Sequence, residues 1–174
     1  MDENKIMNLM EDIEYGWIDK DGNKHIKDFD TFSDDYVLQS PEEVIKNKVG
    51  VCWDQVELER YYFNDRQVKT FFIVHYDDDK CPTHTFLVYV KDHKFCWFEH
   101  SWEIFKGIHE YDTFIDLIID VRNKFIEHEL HNKFEPDNLC INEYTKPEYG
   151  ISVEEFYKHC DSGREINIDK ILHP

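Results

Sequence analysis

Apolar residues recur along this chain with more than one spacing. Ile6, Leu9, Met10 and Ile13 fall three or four apart and predict an amphipathic helix over residues 3–14. Phe114, Leu117, Ile118, Val121, Phe125 and Ile126 do the same over 113–130, the strongest helical pattern in the chain. Between these two helices the pattern changes to runs of β-branched and aromatic residues. Segments 68–76, 84–90 and 95–99 therefore predict three strands. The polar stretch Lys91-Asp92-His93-Lys94 joins the last two as a hairpin, and Asp77-Asp78-Asp79-Lys80 predicts a turn before them.

Local signals divide the remainder. Ser40-Pro41-Glu42-Glu43 is a capping box with proline in the first turn, so a short helix starts there and gives out before Gly50. Gly50 allows a sharp turn into a second helix over about 52–63. Cys52, Val56 and Glu59 or Arg60 share one side of it, while Trp53 and Leu58 help bury the rest. Ser152-Val153-Glu154-Glu155 starts a short last helix. Tyr15-Gly16-Trp17-Ile18 predicts a short strand ended by Lys20-Asp21-Gly22-Asn23. Residues 24–39 and 132–151 show no clear period and are expected to be irregular.

Composition narrows the functional classes. At 174 residues, with no internal repeat, the chain suggests one domain over 1–174. A formal charge of −18 argues against nucleic acid or an anionic membrane as partner, and a neutral or cationic substrate suits it better. Five cysteines, an odd number in no regular framework, argue against a disulfide scaffold. The N-terminal residues show no basic region followed by an apolar run, and no apolar stretch approaches membrane-spanning length. A reducing cytoplasm, where thiols stay free, is the expected location.

Free thiols matter because of where Cys52 falls. A cysteine thiol ionises near pH 8.5, and the anion is favoured by a helix N-terminus or by a nearby imidazolium. Gly50-Val51-Cys52-Trp53 offers the first, although most free cysteines are simply buried. The hairpin offers the second. If its turn pairs Val90 with Phe95, Glu99 falls opposite Phe86, and His84 becomes its diagonal neighbour on the same face. Diagonal neighbours lie about 7–8 Å apart, within reach of two long polar side chains. The chain thus carries thiol, imidazole and carboxylate in the order Cys52, His84, Glu99: a nucleophile, its base and the group that orients the base.

Gly50-x-Cys52-Trp53, then Thr83-His84-Thr85-Phe86 on a strand, then an acid closing the next aromatic strand, resembles the transglutaminase-like superfamily of papain-like cysteine enzymes. The match spans residues 40–102; Glu99 stands where that family usually has aspartate. The resemblance implies an α+β fold, with N-terminal helices, the Cys52 helix packed on an antiparallel sheet bearing His84 and Glu99, and a C-terminal helical extension over 112–174. It implies thiolate attack on an amide or ester carbonyl, an acyl-enzyme and transfer to water or an amine. Peptidase or deamidase activity on a protein, peptide or small amide is expected more than cross-linking, with no cofactor. The Cys52 N–H is the natural oxyanion donor, and Trp17 or Gln55 are side-chain candidates for the second. Inactive domains of this family leave a non-catalytic binding module as the alternative.

Other constellations compete. Cys81, His84, His93 and Cys96 form a C-x2-H…H-x2-C pattern that would suit a structural zinc ion, although the hairpin register sends His84 and Cys96 to opposite faces. His128 and His131 stand at helical spacing, flanked by acids that favour a solvated helix end. Asp77-Asp78-Asp79 lacks the alternating spacing and glycine of a calcium loop.

Overall fold

The computed structural model describes residues 1–77, 81–168 and 170. In chain order it builds α1 (Glu3–Met10), a small hairpin of β1 (Gly16–Ile18) and β2 (Lys24–Ile26), the single turn α2 (Phe32–Asp35), α3 (Pro41–Asn47) and α4 (Cys52–Tyr62). Then follow β3 (Val68–His75), β4 (Thr83–Lys91), β5 (Lys94–Glu99), β6 (Gly107–Tyr111), α5 (Phe114–His128), β7 (Leu139–Tyr144), α6 (Val153–Asp161) and β8 (Arg164–Glu165). The fold is mixed α+β. Its centre is one antiparallel sheet of six strands in the order β6-β5-β4-β3-β7-β8.

The two-residue period of the strands sorts the core into two sides. Phe71, Ile73, Phe86, Val88 and Trp97 meet Leu117, Val121 and Phe125 of α5 on one face. On the other, Leu87, Tyr89, Cys96 and Phe98 pack with Ile6, Met10, Val44, Leu58 and Phe63 from α1, α3 and the α4 region. Phe72 and Val74 share that second face with Trp53 of α4 and Phe156 of α6. The central strands are buried on both sides, which is why they read as almost continuous apolar runs.

Both capping boxes form. The Ser40 N–H donates to Glu43 at 2.7 Å and the Ser152 N–H to Glu155 at 2.8 Å, with the serine hydroxyls accepting in return. The hairpin pairs Val90 with Phe95, the register expected. Several regions differ from expectation. Residues 132–151 are not loop throughout, because β7 lies within them and pairs with β3 in the middle of the sheet. The polar pair Asn142-Glu143 breaks its alternation, although Asn142 is buried. The C-terminal part is therefore not helical alone: besides α5 and α6 it supplies β7 and β8 to the sheet. Likewise β6 (Gly-Ile-His-Glu-Tyr) has too few apolar residues to announce itself, and β2 emerges within the stretch expected to be irregular. Of the acidic turn 77–80, residues 78–80 lie outside the described ones. Among the described residues no helix is long and apolar enough to cross a membrane.

Candidate active site

Helix α3 ends on Lys48 in the left-handed conformation (φ 53°), and the chain runs extended through Val51 before α4 begins at Cys52. Asp54 and Gln55 bolt this junction together. The Asp54 carboxylate accepts from the Val51 N–H (3.0 Å), the Gln39 N–H (2.9 Å) and the Tyr36 hydroxyl (2.9 Å). The Gln55 amide donates to the Gly50 carbonyl at 2.8 Å. Gly50 is required by close approach, since a Cβ there would lie 2.9 Å from Cβ of Asp54. Burial pushes Asp54 up to about 7, against the three donors that favour its charged form. Cys52, as the first residue of α4, has its N–H among those with no acceptor inside the helix.

The base and its partner come from the hairpin. His84 Nε2–H donates to Glu99 Oε2 at 2.7 Å. The chain then doubles back, so that the other oxygen of Glu99 accepts from the Ser101 hydroxyl (3.0 Å) and the Trp102 N–H (2.8 Å). The Trp102 ring covers the imidazole, with centroids 4.7 Å apart. Both partners are buried, His84 to 6% and Glu99 to 2% exposure. Burial alone would push the imidazole's pKa down. The Glu99 charge and the hydrogen bonds with Cys52 and Glu99 overcome it, and His84 ends well above its ordinary value. Burial likewise works against Glu99, but the His84 charge and its three donors hold it below the usual carboxylate range. With Nε2 engaged by Glu99, Nδ1 is the nitrogen left for the Cys52 sulfur.

The structure thus brings Cys52, His84 and Glu99 together. It does not do so for the other candidates. Trp17 is fully buried, donates its indole N–H to the Asp28 carbonyl at 2.7 Å and stacks on His25, so it has no donor to spare. Gln55 braces the loop before Cys52, and its oxygen accepts from His100 Nδ1–H at 2.6 Å. The zinc pattern is not assembled: Cys96 packs with Leu87 and Tyr89 on the face opposite His84, while Cys81 and His93 are exposed. Among the described residues no three His, Cys, Asp or Glu side chains are grouped to hold a metal. His128 closes α5 and packs on Phe105, whereas His131 lies beyond the helix with φ 50°, so the two share no helical face.

Two further groups adjoin the site. Glu59 continues the stripe Cys52-Val56-Glu59-Phe63 along α4. It is buried, and its Oε2 has no hydrogen-bond partner. Burial, reinforced by the Glu99 charge, raises its pKa well above the ordinary value. Helical spacing placed Glu59 on the Cys52 side but carried no hint of its isolation. Tyr15 is the other: 48% of the residue faces solvent, yet burial of its phenol, together with the nearby Cys52, raises its pKa well above the ordinary value. No sequence signal marked it. Two clefts open beside residues that neighbour Cys52. One is lined by Tyr15, Gln55, His100 and Ser101, the other by Trp53, Pro82, Thr83 and Glu129.

A buried imidazole oriented by a carboxylate, beside a thiol at a helix start, is the arrangement needed to generate a thiolate and to pass a proton to a leaving group. The chain matches no protein-family model, and no curated protein matches it in sequence.

Proposed function

We propose that this protein is a transglutaminase-like cysteine hydrolase that cleaves an amide bond in a peptide or small amide, as a peptidase or deamidase. The observation that carries this reading is the 2.7 Å His84–Glu99 hydrogen bond set beside Cys52 at the start of α4. In the reaction, the His84 imidazolium pairs with the Cys52 thiolate. The sulfur attacks the carbonyl carbon, and His84 gives its proton to the departing nitrogen. Water, deprotonated by the then neutral His84, attacks the thioester and releases the acid. Glu99 holds the ring in position and offsets its charge. All five thiols are free, in keeping with the cytoplasm as the location we propose. The charge of −18 suits neutral or basic substrates.

A second reading, an inactive domain of this fold that binds a partner, is favoured by the 4% exposure of Cys52. One experiment separates them: iodoacetamide alkylation of each cysteine at about pH 6, followed by peptide mass spectrometry, in the wild type and in His84→Ala. Burial raises the thiol pKa of Cys96, Cys140 and Cys160, which makes them slow internal references. An active triad makes Cys52 the fastest thiol, and the advantage disappears with His84. A wild-type Cys52 no faster than exposed Cys81 would leave only the binding-domain reading.

A further inference from the structure

Tyr15 is placed beside Cys52 by the backbone. Glu14 bridges Val49 in parallel register, with the Glu14 N–H donating to Lys48 (3.0 Å) and the Gly50 N–H donating to the Glu14 carbonyl (3.1 Å). The next residue, Tyr15, therefore runs alongside the segment that leads into α4. Gly16 seals the contact, since a Cβ there would come 2.8 Å from a methyl carbon of Val49. From this position Tyr15 lies close enough for Cys52 to act on its phenol, and it borders the cleft that also holds Gln55, His100 and Ser101.

We propose that Tyr15 is a catalytic residue, the side-chain donor of an oxyanion hole whose other donor is the Cys52 N–H. The proposal rests on the hydrolase reading above. When the sulfur adds to a carbonyl carbon, a C–S bond forms and the C=O π pair moves onto oxygen. That oxygen is one bond from the attacked carbon, so a donor on the cleft wall next to Cys52 is placed to meet it. The other side-chain candidates are engaged elsewhere, Trp17 by Asp28 and Gln55 by Gly50 and His100. Burial first, and then the Cys52 charge, hold the phenol far above its ordinary pKa, so Tyr15 keeps the proton that a donor needs. Collapse of the oxyanion re-forms C=O and expels the leaving group.

The test compares two reactions at the same sulfur. Acylation by p-nitrophenyl acetate passes through an oxyanion and releases p-nitrophenolate. Alkylation by iodoacetamide displaces iodide from a saturated carbon and builds no oxyanion. In Tyr15→Phe, acylation should fall by about a hundredfold, the loss seen when one oxyanion donor is removed. The alkylation rate of Cys52 should stay within about threefold, which also reports an intact fold. Unchanged acylation overturns the proposal. So does a parallel rise in both rates, which would make Tyr15 a cover over the sulfur, or a parallel fall, which would make it a prop for the thiolate. Because wild-type alkylation is measured separately, a Cys52 that is slow before any mutation marks failure of the triad reading, and the proposal falls with it. A fast Cys52 with unchanged acylation in Tyr15→Phe overturns the proposal alone.

Discussion

Helices α5 and α4 pack on opposite faces of the same sheet and follow different rules. In α5, the buried positions Leu117, Ile118, Val121, Phe125 and Ile126 form one apolar stripe, with acids and bases on the solvent side. In α4, every residue from 52 to 59 is buried, and three of the eight are Asp54, Glu57 and Glu59. The difference comes from enclosure. Helix α5 has water on its outer side, whereas α4 packs on the sheet at β4, with α3 against it and Phe156 of α6 beside its Trp53. Each α4 acid meets a different fate. Asp54 gathers three donors, Glu57 pairs with Arg60 at 2.9 Å, and Glu59 is left without a bond at Oε2. A buried charge is tolerated only when paired, and an unpaired carboxyl must stay neutral. The contrast teaches that α5 serves stability, while α4 carries polar groups at a cost in stability and holds Cys52 at its start.

The largest test of this contrast is a core truncation. Phe125→Ala in α5 should cost about 3–5 kcal/mol in denaturant unfolding, with the Cys52 alkylation rate unchanged under native conditions. Cys52→Ala should do the reverse, abolishing acylation by p-nitrophenyl acetate with a loss of about 1 kcal/mol or less. If Phe125→Ala slows Cys52 as well, the two faces are not separable.

A smaller effect is expected at the ion pair. Glu99→Gln keeps the shape and removes the charge, so it should lower stability by about 2 kcal/mol near pH 6. The pH dependence has a definite sign. His84 is raised in the folded state, so its share of stability is complete below the ordinary imidazole value of about 6.5. It is lost as pH rises through the folded value, about 10. The gap between wild type and Glu99→Gln should therefore shrink from pH 6 towards pH 10. A gap that widens with pH would show that the pair is neutral.

The smallest change sharpens the account of Glu59. Removing a buried carboxyl that lacks a partner should stabilise the fold, so Glu59→Met is expected to gain about 1 kcal/mol. Because the folded pKa of Glu59 is raised, its cost grows as pH climbs above the ordinary carboxylate range. The gain should therefore be greater at pH 8 than at pH 4. Destabilisation at both pH values would mean that Glu59 has a partner after all.

Much of the candidate site was legible along the chain because its determinants are local. A two-residue strand period and a tight hairpin set the register that puts His84 diagonal to Glu99, and the bond forms. Tyr15 was not legible, because its approach to Cys52 depends on the bridge between Glu14 and Val49, thirty-five positions apart in the chain. For Trp17 and Gln55 the sequence offered donors but not the carbonyls that occupy them. Strand β7 was hidden because Asn142 and Glu143 interrupt the alternation, and only pairing with β3 makes those residues a strand. The sequence by itself determined the helix starts, the hairpin and the order Cys52, His84, Glu99, since these rest on contacts between near neighbours. Tertiary structure alone decided which acids of α4 find partners and which hydroxyl comes to lie near the sulfur. Burial and hydrogen-bond satisfaction are properties of the packed whole, and no short stretch of chain can specify them.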